Sequence, residues 1–257
     1  MLNEHHKKFG KVLNSFDYGT RLYDKFYEFC KLSALTLSAP FNKEFASEEI
    51  KKLKIHENEK KLLAYNECFE ILLAALEHEH QDFLGVFYGV NELGNSKNGQ
   101  FFTPYHLSLM IAKMQLSGIT ELIKEKGFIK ICEPACGSGG MIIAVREILI
   151  ESGFNPSTNI YVELTDVDAL CFYMAYIQIS LYGIPARVIH GNTLTREQHL
   201  ELFTPVYFLN DFPTKLAISE IMNSGILNSK PKQVLKPKPE TVPDLILEKS
   251  GQFEMAL

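Results

Sequence analysis

Apolar positions in the first third of the chain recur at helical spacing. Phe16, Leu22, Phe26 and Phe29 follow one another at intervals of three, four or six residues, and Leu62, Leu63, Phe69, Leu72, Leu73 and Leu76 repeat the pattern later. Such intervals gather apolar side chains on one face of an α-helix. Ser38–Asn42, which contains Pro40, interrupts the first block. Ser47-Glu-Glu-Ile then predicts a helix start with acids in its first turn, where the free N–H groups favour negative charge. Alternation of the strand type is missing here, so residues 1–94 read as an all-helical region.

The pattern changes beyond that region. Glu92–Gln100 is rich in Gly and Asn and reads as a loop. Pro104 stands where a helix over Tyr105–Leu116 begins, a position at which a missing N–H costs nothing. Phe128–Cys132 predicts a strand, Cys136-Gly-Ser-Gly-Gly140 a turn and Met141–Glu151 a helix. A strand at Ile160–Leu164, a helix from Ala169 to Tyr182 and a strand at Arg187–His190 follow. Gly183 is placed to cap the last helix and Pro185 to prevent its continuation. This alternation predicts an α/β domain over residues 95–228 with a parallel, doubly wound sheet. Thr195–Glu201 reads as a helix. Residues 229–257 form a Pro/Lys-rich tail, with Lys230, Lys232, Lys236 and Lys238 among Pro231, Pro237, Pro239 and Pro243. That tail is either a phosphate-backbone contact or a Pro-stiffened linker.

Composition narrows the class. At 257 residues with 46% hydrophobic content the chain can bury a core, which excludes a disordered or collagen-like protein. No apolar run approaches the roughly 18 residues of a membrane span, and Met1–Lys11 lacks the apolar core of a secretory signal. The five cysteines, Cys30, Cys68, Cys132, Cys136 and Cys171, are odd in number and hold no Cys-x-x-Cys pair. They read as free thiols in a reducing cytoplasm, with no metal site. His78 and His80 are two residues apart on a helix and so point to different faces. His5 and His6 sit near the start of the chain, and His190 is at a strand end. The net charge of −5 gives no global field that would attract nucleic acid.

The chemistry concentrates in Ile131-Cys-Glu-Pro-Ala-Cys-Gly-Ser-Gly-Gly140, after a predicted strand and before a predicted helix. Glycines let a backbone turn sharply and approach a ligand, and the helix start offers free N–H groups. Glu133 at the strand end would repel a pyrophosphate but suits a cationic ligand, so the loop favours S-adenosylmethionine over a dinucleotide. The second strand ends in Thr165-Asp-Val-Asp168. Asp168 is placed as the N-cap of the next helix, leaving Asp166 to accept from a ribose diol.

These residues resemble the adenine-N6 DNA methyltransferases, in particular the modification subunits of type I restriction systems. That family writes its motif I as Asp-Pro-Ala/Thr-Cys-Gly-Ser/Thr-Gly-Gly, close to Glu133-Pro-Ala-Cys-Gly-Ser-Gly-Gly140. Gly99-Gln-Phe-Phe-Thr-Pro104 resembles the upstream motif X, about 30 residues away, and His190-Gly-Asn-Thr-Leu194 resembles motif III with Asn192 in place of an Asp. The resemblance covers about Asp82 to Leu194. It implies a Rossmann-like methyltransferase fold with a helical N-terminal region. It implies S-adenosylmethionine held by Phe102, Thr103, Pro104, Glu133, Ala135, Cys136, Gly137, Ser138, Gly139, Asp166, Val167 and Asn192, and DNA as substrate in a restriction-modification setting.

The family's Asn/Asp-Pro-Pro-Tyr/Phe tetrapeptide, whose amide or acid and aromatic ring grip a flipped adenine, does not occur in the sequence. The nearest segments are Asn210-Asp-Phe-Pro213, which makes Asn210, Asp211 and Phe212 the catalytic candidates, and Pro243–Ser250. With about three strands readable, the base pocket is either lost or supplied by a partner, such as a specificity subunit or a second methyltransferase subunit. The other reading is a non-catalytic partner-binding or regulatory module that retains the fold. Gln252–Leu257 loosely resembles a sliding-clamp peptide.

Overall fold

The computed structural model describes residues 2–93, 103–116 and 118–223. Phe102, the Lys/Pro stretch, Pro243–Ser250 and Gln252–Leu257 therefore lie outside the described residues. Five helices open the chain: α1 (Glu4–Leu13), α2 (Leu22–Ser38), α3 (Lys43–Leu53), α4 (Glu59–His78) and α5 (Phe83–Val90). Helix α3 begins at Lys43, a turn before the expected start, and Ser47 lies inside it. Among these helices the core is dense in aromatic rings. Phe9 meets Phe26, Phe29, Phe83 and Phe87 edge-on, with centroids 4.8–6.3 Å apart, in the arrangement the ring quadrupoles favour. Leu63, counted in the apolar pattern, is 59% exposed.

Two helices, α6 (Tyr105–Gln115) and α7 (Ile119–Lys126), lead into strand β1 (Ile129–Glu133). Helix α8 (Gly140–Glu151), the short α9 (Pro156–Asn159), β2 (Ile160–Asp166), α10 (Ala169–Leu181) and β3 (Ala186–Asn192) follow. Strand β4 (Glu197–Phe203) and helices α11 (Pro205–Leu209) and α12 (Phe212–Asn223) complete the described chain. The sheet order is β1-β2-β3-β4. The first three strands are parallel, with Ile131 level with Val162 and Leu164 level with Val188.

Strand β4 replaces the expected helix at Thr195–Glu201. It runs antiparallel to β3, with Val188 opposite Leu202 and Ile189 opposite Glu201. Glu, Gln and Leu are good helix formers, but the pairing with β3 prevails over that local preference. Glu197, Gln198, His199 and Glu201 face solvent while Leu202 is buried, as an edge strand with a wet side allows.

The two sides of the sheet differ. Helix α10 packs on β2 and β3 and also meets α8, and α2 packs against α10 as well. Every residue of α10 from Leu170 to Ile179 is buried, so one core runs from the N-terminal helices through α10 to the sheet. On the opposite face, Phe212 lies edge-on to Phe128 and stacks on Tyr161, beside Tyr207. Beyond these rings that face carries Lys130, Cys132, Glu163 and Arg187, with Arg187 bonded to Glu201. All five cysteines are free thiols, no described helix is long and apolar enough to cross a membrane, and the described residues hold no cluster fit for a metal ion.

Candidate cofactor site

Parallel strands bring their C-terminal ends to one edge of a sheet, and ligands of such folds bind there. Here that edge carries Glu133 at the end of β1, Asp166 at the end of β2 and Asn192 at the end of β3. The register staggers them: Glu133 is level with Leu164, and Asp166 with His190.

Residues 134–139 connect β1 to α8 as a tight turn. Gly137 and Gly139 have φ of +55° and +88°, left-handed values that side chains rarely adopt. A Cβ on Gly139 would also press Ile179 of α10 at 3.3 Å. Backbone bonds fold the turn onto β2: Cys136 N–H donates to Thr165 O at 3.0 Å, and Gly139 N–H to Cys136 O at 2.9 Å. The Cys136 side chain is buried, and its thiol is pushed well up by that burial. Thr193 Oγ1 donates to Pro134 O at 2.7 Å and ties the end of β3 to the same turn.

Asp166 is the pivot of the edge. One carboxylate oxygen accepts from Gly137 N–H at 2.8 Å, and the other from Asp168 N–H at 2.9 Å. Asp168 caps α10, accepting from Leu170 and Cys171 N–H at 2.7 and 3.1 Å. The division of work between the two acids is thus as expected at the cap, while Asp166 has the added task of holding the glycine turn. Burial raises its pKa against the two N–H donors. Glu133 is also pushed up by burial, opposed by the Ala135 N–H. Each ionised oxygen has room for a further donor. An ammonium beside Glu133 and a ribose diol beside Asp166 would supply such donors and offset the burial.

The other expected residues fall into three groups. Ala135 and Val167 are exposed beside the turn, Val167 at 64%, and Val167 O meets His190 Nε2 at 3.2 Å. Asn192 uses its side-chain oxygen on Leu194 and Thr195 N–H at 2.9 and 3.3 Å, which leaves its amide N–H groups for a ligand. Thr103 and Pro104 are exposed at the start of α6. That helix is anchored to α8 by the Tyr105 hydroxyl donating to Glu147. Ser138 differs: it is 1% exposed and its hydroxyl turns inward, so only its backbone is left for a ligand.

The catalytic candidates are not brought to this edge. Asn210 Nδ2 donates to Ser157 O at 2.7 Å, ahead of β2. Asp211 accepts from Thr214 at 2.8 Å at the start of α12. Phe212 is fully buried against Phe128 and Tyr161, beside the starts of β1 and β2. All three stand at the opposite end of the strands from Glu133 and Asp166 and serve packing and turn formation there.

Residues 82–212 match the family model described as N-6 DNA Methylase, half of the chain. The chain belongs to the N-6 DNA methylase family. The match begins at Asp82, in the helical region, and runs through the glycine turn and β4. The chain is also similar to a solved structure described as a class I S-adenosylmethionine-dependent methyltransferase from Listeria monocytogenes. The TM-score is 0.48 at 16% identity, over 83% of this chain and 69% of that one. Membership of the N-6 DNA methylase family makes S-adenosylmethionine the cofactor.

The residues fit that molecule. Half-buried Glu133 suits its ammonium, Asp166 its ribose, and the left-handed turn at Gly137 lets the backbone come close. Sequence reasoning missed Asp82, Gln178 and Thr193. Gln178 had left a signal, as a lone amide in an otherwise apolar helix, and Asp82 had one as the residue before Phe83-Leu-Gly85.

Proposed function

We propose that this chain is the cofactor-holding part of a DNA adenine-N6 methyltransferase of the restriction-modification kind, with the target base gripped by a partner chain. The observation that carries the reading is the convergence of Glu133, the Gly137–Gly139 turn and Asp166 on one sheet edge, in a chain whose family is that of the N-6 DNA methylases. When bound, S-adenosylmethionine supplies an electrophilic methyl on sulfur. The chain's own residues bind and orient it: Glu133 neutralises its ammonium, Asp166 accepts from the ribose and fixes the turn, and Asn192 donates to the adenine edge from its amide. Thr103, Pro104, Ala135, Cys136 and Val167 complete the set in this reading, together with Phe102, which lies outside the described residues.

The need for a partner rests on two features. The sequence contains no Pro-Pro pair and hence no Asn/Asp-Pro-Pro-aromatic segment. A net charge of −5 also gives no general attraction for DNA. Calorimetry with S-adenosylmethionine on the full chain, followed by tritiated-methyl transfer to mixed-sequence DNA, tests the reading. Binding without transfer is expected, with transfer appearing when a specificity or second methyltransferase subunit is added. Transfer by the chain alone refutes the partner requirement, and absence of binding refutes the site.

A further inference from the structure

We propose that Asp82 is a positioning residue of the cofactor turn, which it holds in its binding shape from the helical N-terminal region through the Ser138 hydroxyl. The proposal deepens the cofactor reading above and rests on it. Asp82 precedes α5 and is only 5% exposed. Its carboxylate accepts from Ser138 Oγ at 2.6 Å, Gln178 Nε2 at 2.8 Å and Gly85 N–H at 3.0 Å. Capping α5 accounts for the last bond alone. A helix cap can stay at the surface, as Asn58 does at the start of α4, and burying a carboxylate is costly unless donors surround it. The buried position therefore calls for a second task, and the other two donors indicate it.

Gln178 donates to both Asp82 and Ser138 O, each at 2.8 Å, and accepts from Leu84 N–H at 3.0 Å. Ser138 is thus gripped at its hydroxyl by Asp82 and at its carbonyl by Gln178. Its two neighbours are the left-handed Gly137 and Gly139. Pinning the middle residue inward fixes the flanking backbone before any ligand arrives, which lowers the ordering that binding must supply. Two glycines are explained by the same cluster. A Cβ on Gly140 would lie 2.8 Å from Asp82 Oδ2, and one on Gly85 would collide with both Asp82 and Ser138. Gly140, the first residue of α8, therefore makes room for Asp82.

The test uses the full chain with Asp82→Ala, Asp82→Asn, Ser138→Ala and the Asp82→Ala/Ser138→Ala double variant. Two quantities are read: the dissociation constant for S-adenosylmethionine by calorimetry, and hydrogen exchange of the 137–140 amides without cofactor. Asp82→Ala and Ser138→Ala are each expected to weaken binding about tenfold and to speed exchange in the turn. Asp82→Asn should recover part of both, and the double variant should bind no worse than Asp82→Ala. Wild-type affinity and wild-type exchange in a folded Asp82→Ala or Ser138→Ala protein overturn the proposal. If Asp82→Ala does not fold, Ser138→Ala decides, since it leaves Gln178 and Gly85 on the carboxylate. If the wild-type chain binds no S-adenosylmethionine, the cofactor reading fails while the exchange measurement still decides the role of Asp82.

Discussion

Replacing Asp166 by Asn separates the two tasks assigned to this acid. In the carboxylate, one oxygen serves Gly137 N–H at 2.8 Å and the other Asp168 N–H at 2.9 Å. The amide has the same shape but only one oxygen, so its NH2 must face one of the two N–H groups. A hydrogen bond to a charged acceptor contributes about 1.5–3 kcal/mol. Part of that is returned, because burial raises the pKa of the acid and a neutral group escapes this penalty. The net expectation is a loss of about 1–2 kcal/mol in unfolding free energy without cofactor, read by urea denaturation. Calorimetry should show S-adenosylmethionine binding at least about tenfold weaker, since either the turn or the ribose loses its acceptor. An Asp166→Asn protein that unfolds at the wild-type urea concentration and binds with wild-type affinity would show that the carboxylate neither sets the turn nor meets the ribose.

Two further predictions follow from buried groups of the helical region. The Tyr182 hydroxyl donates to Gln81 O at 2.8 Å and accepts from Gln81 N–H at 2.9 Å. Tyr182→Phe strands both backbone groups and should cost about 2–4 kcal/mol in urea unfolding; a loss under about 0.5 kcal/mol would refute the pairing. His6 is 2% exposed and stacks on Phe83, with its ring nitrogens near Asn3 Oδ1 and Phe83 O. Burial pulls its pKa from 6.5 down to about 4. The fold therefore favours the neutral ring: its contribution is complete above pH 6.5 and is lost as pH falls toward 4. At about 1.4 kcal/mol per unit this amounts to about 3 kcal/mol. The pH dependence of stability between 4 and 6.5 should flatten in His6→Gln, and an unchanged slope would refute it.

Legibility followed the range of the interaction. The glycine turn, the strand ends and the cap at Asp168 are local in sequence, and spacing alone located them. Strand β4 was not legible, because Glu197-Gln-His-Leu-Glu-Leu-Phe203 has the composition of a helix and becomes a strand only through β3. The start of α3 was missed because two cap residues compete there: Ser47-Glu-Glu has the acids of a first turn, whereas Asn42, the actual N-cap, makes no side-chain cap bond. Asn210, Asp211 and Phe212 had the right residue types for a base pocket, but only the topology places them at the far end of the sheet. The Asp82–Ser138 bond spans 56 residues, and no periodicity carries information over that distance.

Residues 170–179 of helix α10 have no outer surface. The sheet and α2 both pack on it, so neither layer can melt away without opening the core of the other. Such a chain unfolds as one cooperative unit, and any ligand that favours the folded state protects the whole of it. A cofactor at the tips of β1 and β2 thereby shields α1 and α2 as well from any proteolysis that proceeds through global unfolding.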